Sequence, residues 1–275
     1  MKRFNLSFLI KIFVYLKYLP FIVFEIKNWQ FFLLNYLGIK NGGGVFEFRN
    51  GLKIKTKDAV SSATVSVIFI KKDYGEINDN SVIIDIGANI GVFSLYAAQS
   101  KNTIIYAFEP LPRNYSLLLE NIAFNKLEKN IIPFNLAVGE KEEKRTLYLG
   151  ESPFPSFLKI SDSPFNAHFG SEPYEQNQQS IEINCVALKD VFDKNNIQTC
   201  DILKMDCEGA EFEILYSLPE EYYKKIKEIR MEYHNHLSEP RNNINYLLEF
   251  LQRKGYEIKK LKKSSIHQGD LWLSK

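Results

Sequence analysis

Asp85-Ile86-Gly87-Ala88-Asn89-Ile90-Gly91 is the stretch whose residue types and spacing speak most clearly of chemistry. Gly87 and Gly91 fit a sharp turn between a strand and a helix, and Asn89 tolerates left-handed backbone better than most residues. The helix that follows would offer free N–H groups to a carboxylate. Asp85 closes an apolar run, where a buried charge is costly unless something binds it, and a ligand's ammonium group would suit. Glu109 stands 18 residues after Gly91, at the end of the next apolar run. An acidic side chain there can accept hydrogen bonds from both ribose hydroxyls of an adenosine-containing ligand. That arrangement serves NAD as well as S-adenosylmethionine. The loop favours the second, because Asn89 occupies the place where G-x-G-x-x-G carries the glycine that lets backbone approach a pyrophosphate.

A second group lies downstream in Asp201-Ile-Leu-Lys204-Met-Asp206-Cys-Glu208-Gly209-Ala-Glu211. Lys204 and Asp206 are two apart, so on a strand they share a face and project together at its carboxyl end. The plain alternative for them is a buried ion pair. Glu208 and Glu211 fall at a helix start, where acidic residues complement the macrodipole. Arg230, Glu232 and His234 repeat the two-residue spacing. Methyl transfer to a hydroxyl needs the oxygen in line with methyl and sulfur, and often a base. His234 has the intrinsic pKa range for that base, with Glu232 beside it. A metal held by Asp206, Glu208 and Glu232 is a weaker alternative for activating the hydroxyl, and no metal is assigned from the sequence.

These groups need a scaffold that brings strand ends together. Val82–Ile86, Thr103–Phe108, Ile131–Asn135, Ile181–Val186, Ile202–Met205 and Ile226–Tyr233 read as strands, several of them apolar throughout, as in a sheet buried on both faces. Helices fit Val92–Ser100, Pro112–Asn125, Leu188–Asn195, Glu211–Ser217 and Asn243–Lys254. The alternation predicts an α/β fold with a doubly wound, mostly parallel, seven-stranded sheet. Tyr256–Leu261 and Leu271–Ser274 would close it as an antiparallel pair. Residues 1–75 read as a helical extension and hairpin cap, and 76–275 as the ligand-binding domain. In the extension, Asn50-Gly51 predicts a tight hairpin turn between Val45–Phe48 and Leu52–Lys55, and Asp58 could cap a helix running to Lys72.

The three motifs in this order, Asp85-Ile-Gly-Ala-Asn-Ile-Gly91, Phe108-Glu109-Pro110 and Asp201 to Glu211, resemble the FkbM family of methyltransferases. The resemblance runs from about Phe46 to the C-terminus and leaves out residues 1–41. It implies a class I S-adenosylmethionine enzyme with a Rossmann-like fold, in a family with many O-methyltransferases acting on polyketide, sugar or glycan hydroxyls. It also implies roles. Asp85, Gly87, Ala88, Asn89 and Gly91 would hold the methionine part of the cofactor, Glu109 and Pro110 the ribose, Asn135 to Ala137 the adenine side, and Asp206 and Glu208 the methionine end. Lys204, Asp206, Glu232 and His234 would carry the chemistry. Cys207 and the Leu188-Lys189-Asp190 sequence depart from the family's commoner residues without touching the cofactor positions.

Composition narrows the field. The chain has 275 residues, 45% hydrophobic and 25% charged, and a formal net charge of +2. It reads as globular, and the small charge gives no reason to expect a nucleic-acid partner. Asn/Asp-Pro-Pro-Tyr/Phe, the motif of amino-methyltransferases acting on DNA bases, is absent at Asp206-Cys207-Glu208-Gly209. Cys185, Cys200 and Cys207 form no metal or redox spacing, which fits a cytoplasmic protein. Phe8–Phe24 is apolar but interrupted by Lys11, Lys17 and Pro20, so a helix packed on the domain is preferred, with peripheral membrane contact through residues 1–30 as the alternative. Residues 150–179, with four prolines among five aromatics, read as a substrate-selecting loop over the cleft. The expectation is therefore methyl transfer from S-adenosyl-L-methionine to a hydroxyl of a sugar, glycan or other small molecule. The alternatives are an NAD-dependent oxidoreductase and a non-catalytic, membrane-associated protein binding an adenosine ligand.

Overall fold

The structure, a computed structural model, describes residues 17–36, 43–58, 63–149, 167–169, 180–235, 241–265 and 267–275. Most of the expected cleft loop at 150–179 and the first half of the apolar N-terminal run lie outside them.

Seven strands form the central sheet in the order β12-β13-β11-β10-β3-β4-β5. They are β3 (Val82–Ile86), β4 (Ile104–Phe108), β5 (Ile131–Phe134), β10 (Cys200–Met205), β11 (Ile226–His234), β12 (Glu257–Lys263) and β13 (Gln268–Ser274). All neighbours are parallel except around β13, which runs antiparallel to β11 and β12. The doubly wound, mostly parallel sheet with an antiparallel closing pair is thus as the sequence predicts. After β3 the chain builds outward to β4 and β5, then crosses to β10 on the other side. The switch point between β3 and β10 is where such sheets leave a crevice at their carboxyl ends.

Period-two alternation sends each strand into two cores. On one face Ile84, Ile86, Leu203, Met205, Ile229 and Met231 pack with helices α4 (Leu188–Lys194), α5 (Glu211–Ser217) and α7 (Ile244–Arg253). On the other, Ile83, Ile105, Ala107 and Ile202 meet α2 (Val92–Ala97) and α3 (Pro112–Asn125). The N-terminal residues belong to this second core through Ile22, Ile26, Phe32, Phe46 and Ile54. Here α1 (Trp29–Tyr36) lies beside the hairpin of β1 (Gly44–Glu47) and β2 (Lys53–Thr56). α6 (Glu220–Tyr223) is a single turn that leads into β11.

Three local expectations are corrected. The hairpin turn is longer than the tight Asn-Gly turn expected. Phe48 N–H donates to Leu52 O at 2.8 Å and Gly51 N–H to Phe48 O at 3.1 Å. Only Gly51 (φ 95°), not Asn50, is left-handed, as in a type I turn followed by a bulge. The helix expected from Asp58 to Lys72 is described only from residue 63, and it widens to π geometry over Ser66–Ile70, with Lys71 N–H bonded to Ser66 O at 3.0 Å. The strand expected at Ile181–Val186 is real, as β9 (Ser180–Ala187), but it belongs to a separate sheet. Its order is β6-β9-β7-β8, with β6 (Ala137–Gly139), β7 (Glu143–Leu149) and β8 (Ala167–Phe169). Alternation marks a strand and does not say which sheet it joins.

Candidate functional site at the carboxyl ends of the central strands

The Asp85–Gly91 loop makes the turn its glycines predict. Gly87, Asn89 and Gly91 have φ of 75°, 51° and 88°. Gly87 and Ala88 donate to Phe108 O at 3.0 and 2.9 Å, which ties the loop to β4. A Cβ on Gly87 would lie 1.8 Å from Asp206 O, and one on Gly91 would lie 2.4 Å from Leu118 Cδ1. Both glycines are therefore places of close approach as well as of unusual φ. The ends of β3 and β10 touch there, since Asp206 N–H donates to Ile86 O at 3.0 Å.

Glu109 sits beside this loop and is 4% exposed. Its Oε2 accepts from Asn89 N–H at 2.8 Å and its Oε1 from Leu111 N–H at 2.9 Å. Burial pushes its carboxyl up to about 7, although the Leu111 and Asn89 amides and Asn114 favour the charge. Asn135 donates from Nδ2 to Glu109 O and Pro110 O at 2.9 and 3.0 Å, so it braces the end of β4. Ala137 is 2% exposed in a small core with Leu111, Leu147, Ile183 and Cys185.

Asp85 lies near the carboxyl end of β3. It is fully buried, with Oδ1 3.0 Å from Lys204 Nζ and Oδ2 accepting from Ser94 Oγ at 2.6 Å. Both oxygens face groups of the same chain, Lys204 and Ser94. Lys204 also donates to Gly87 O at 2.8 Å, and its ammonium lies over the rings of Tyr74 and Phe93. Burial opposes the lysine's charge, but Asp85 and Asp206 outweigh it and hold the ammonium above its ordinary value. The expected Lys204–Asp206 pair is therefore a Lys204–Asp85 pair. Parallel register places those two directly opposite each other, and Lys204 locks the glycine loop rather than entering the cleft.

The remaining acidic groups do converge. One ligand atom from each of Asp206, Glu208 and His234 lies within 4.8 Å of the others. His234 Nδ1 meets Glu211 Oε1 at 3.1 Å, while Nε2 is 3.7 Å from Glu208 Oε2 and 3.9 Å from Glu232 Oε1. Glu211 is fully buried, accepts from Cys207 N–H at 3.1 Å and Gly209 N–H at 3.0 Å, and so closes the 206–210 loop. Its role is this closure, beyond the dipole effect expected. Glu208 precedes the helix in left-handed conformation (φ 52°) instead of capping it.

Burial works against charge on His234, yet Glu211, Glu208 and Glu232 together hold the imidazole well above its usual range. Burial, relieved by His234 and reinforced by Asp206, puts Glu208 at about 7. Burial and then Asp206 put Glu232 at about 8. Arg230 shares the face of Glu232 but is engaged elsewhere. It donates to Tyr74 O and to Glu76 O at 2.9 Å, pairs with Glu228 and stacks on Trp272.

Sequence reasoning missed Tyr74, Ser94 and the bracing role of Glu211. Tyr74 is near enough to Asp206 and Glu232 that, after burial, their charges raise its phenol well above the usual value. Nothing periodic marked Tyr74. Ser94, a polar residue on the buried side of α2, was the one signal available.

The site fits S-adenosylmethionine. Glu109 is a buried carboxylate whose oxygens keep lone pairs for ribose hydroxyls, Gly87 lets the ends of β3 and β10 close on each other beside it, and the carboxylate excess suits a sulfonium. When bound, the cofactor supplies an electrophilic methyl group.

Comparison with known proteins agrees. Residues 85–258 match the family described as Methyltransferase FkbM domain. The chain is 24% identical over 219 residues to the AMB antimetabolite synthetase AmbE of Pseudomonas aeruginosa, covering 70% of this chain but 10% of that one. It is 25% identical over 178 residues to the 31-O-demethyl-FK506 methyltransferase FkbM of Streptomyces tacrolimicus, covering 58% of this chain and 68% of that one. A shorter stretch is 42% identical over 57 residues to a tRNA (guanine(37)-N(1))-methyltransferase of Batrachochytrium dendrobatidis, covering 21% of this chain and 12% of that one. With the loop, Glu109 and the 201–211 segment inside the matched span, this chain belongs to the FkbM methyltransferase family and uses S-adenosylmethionine as its cofactor.

Proposed function

We propose that the protein methylates a hydroxyl oxygen of a sugar, glycan or other small molecule. The observation that carries this reading is the meeting of Asp206, Glu208, Glu232 and His234 at the strand ends beside the glycine loop. A hydroxyl becomes nucleophilic as its proton leaves, and oxygen acceptors surround the place where it would stand. Glu232, on β11 and hydrogen-bonded by Gln268 Nε2 at 3.1 Å, takes that proton in its ionised form, which burial makes the minor form below about pH 8. Glu109 with the 87–91 loop holds the cofactor, and Asp206 and Glu208 lie at its methionine end. The printed activity of the Streptomyces relative supports oxygen as acceptor. The short tRNA-methyltransferase match supports RNA as the rival acceptor.

The test is transfer of a labelled methyl group to panels of sugars, glycans and hydroxylated small molecules, with bulk tRNA alongside. Label in an ether methyl that resists dilute base supports the proposal, and label confined to a tRNA base overturns it. Phe21 and Phe24, 62% and 76% exposed, support peripheral membrane contact through residues 1–30. Among the described residues no helix is long and apolar enough to cross a membrane. Flotation with anionic vesicles that fails for the intact chain would remove that contact.

A further inference from the structure

Charge accounting isolates one cluster. Lys204 cancels Asp85. Asp206, Glu208, Glu211 and Glu232 then face a single imidazole, and among the described residues the ion pairs of the three glutamates are with His234 alone. Four carboxyl groups around one imidazole offer more oxygen acceptors than that ring can serve, and a cation could use them.

The imidazole is set as a metal-binding histidine would be. Its Nδ1 is held by a fully buried carboxylate, which two backbone amides fix in turn. That arrangement sets the ring orientation and leaves Nε2 for a cation. Nε2 belongs to a side chain only 9% exposed, it points toward Glu208 and Glu232, and at 3.7 and 3.9 Å it is beyond hydrogen-bond length to both. Ligands on opposite sides of an ion at about 2.1 Å stand about 4.2 Å apart. The three ligand atoms lie within 4.8 Å of one another, and the Glu208 side chain, 40% exposed, has room to adjust.

We propose that Asp206, Glu208 and His234 bind one divalent first-row transition-metal ion, with Glu211 as the positioning residue behind the imidazole. Two carboxylates and one imidazole suit Mn²⁺ or Fe²⁺ better than an all-oxygen Mg²⁺ site. The ion's use in turnover, fixing an acceptor oxygen near the methyl group, rests on the methyl-transfer reading. Its binding does not.

The experiment is titration of chelator-stripped protein with Mn²⁺, following the electron paramagnetic resonance signal of the free ion. One ion per chain is expected, with affinity at least about tenfold weaker in His234→Asn and in Glu208→Gln, and about ten- to a hundredfold weaker in Glu211→Gln. Glu208→Gln, at a part-exposed loop position, keeps the test decisive if a variant at a buried residue fails to melt cooperatively. No stoichiometric binding, or equal affinity in wild type and Glu208→Gln, overturns the inference. S-adenosylhomocysteine is titrated separately in excess chelator. If it binds while Mn²⁺ does not, the metal site alone is refuted. If Mn²⁺ binds and S-adenosylhomocysteine does not, the methyl-transfer reading is refuted and the metal site stands.

Discussion

Replacing Lys204 by methionine tests whether this lysine is an internal lock. The side chain is 4% exposed and that of Asp85 is fully buried, with 3.0 Å between their charged atoms. Methionine fills similar volume, so the main loss is electrostatic. Asp85 would keep Ser94 Oγ at 2.6 Å but lose its counter-charge, and Gly87 O would lose a donor at 2.8 Å. Removing one partner of a buried pair costs about 3–5 kcal/mol. For a chain of this size that is a fall in Tm of about 6–20 °C. Exchanging Asp85 for asparagine in the same background removes the stranded charge, so the double variant should regain about half of the loss or more. Denaturant unfolding and calorimetric titration with S-adenosylhomocysteine would both be followed, because the lysine also holds the glycine loop. A loss below about 1 kcal/mol in Lys204→Met, or a double variant no better than the single one, would refute the reasoning and return Lys204 to the cleft.

Three further outcomes follow from the site. Glu109, raised to about 7 by burial, accepts ribose hydroxyls best when ionised. Affinity for S-adenosylhomocysteine should therefore rise about tenfold from pH 6 to pH 8, and the rise should vanish in Glu109→Gln; a flat wild-type profile would count against Glu109 as the ribose ligand. The same raised pKa stabilises the folded chain below the unfolded value of 4.5, and that contribution is lost as pH rises through about 7. Gly87→Ala should abolish measurable cofactor binding, because the added carbon meets Asp206 O at 1.8 Å, whereas Gly51→Ala, with open space around it, should cost only about 1 kcal/mol. Arg230→Met strands the carbonyls of Tyr74 and Glu76; it should cost about 2 kcal/mol and quicken hydrogen exchange over residues 73–76, and unchanged exchange there would show that the segment is held by other contacts.

Residue type and spacing alone made the sheet legible. Apolar runs at Val82 and Ile104 and strand-like segments at Ile202 and Ile226 alternate with helices, and a parallel sheet covered on both sides buries such runs. The glycine loop and Glu109 were legible for a related reason, since left-handed φ and a strand-end carboxylate are local requirements. What the sequence could not say is which charges find each other. Lys204 lies two residues from Asp206 but pairs with Asp85, 119 positions earlier, because parallel register sets them opposite each other on adjacent strands. Glu211 reads as a helix-start residue, yet its contact with His234 depends on how α5 meets the end of β11. β9 has the alternation of a sheet strand, but its partners β6 and β7 lie outside the central sheet, a choice no local pattern marks. Period and propensity act over a few residues and so determine the elements. Charge pairing, burial and the identity of a base depend on distances across the sheet, which only the tertiary structure decides.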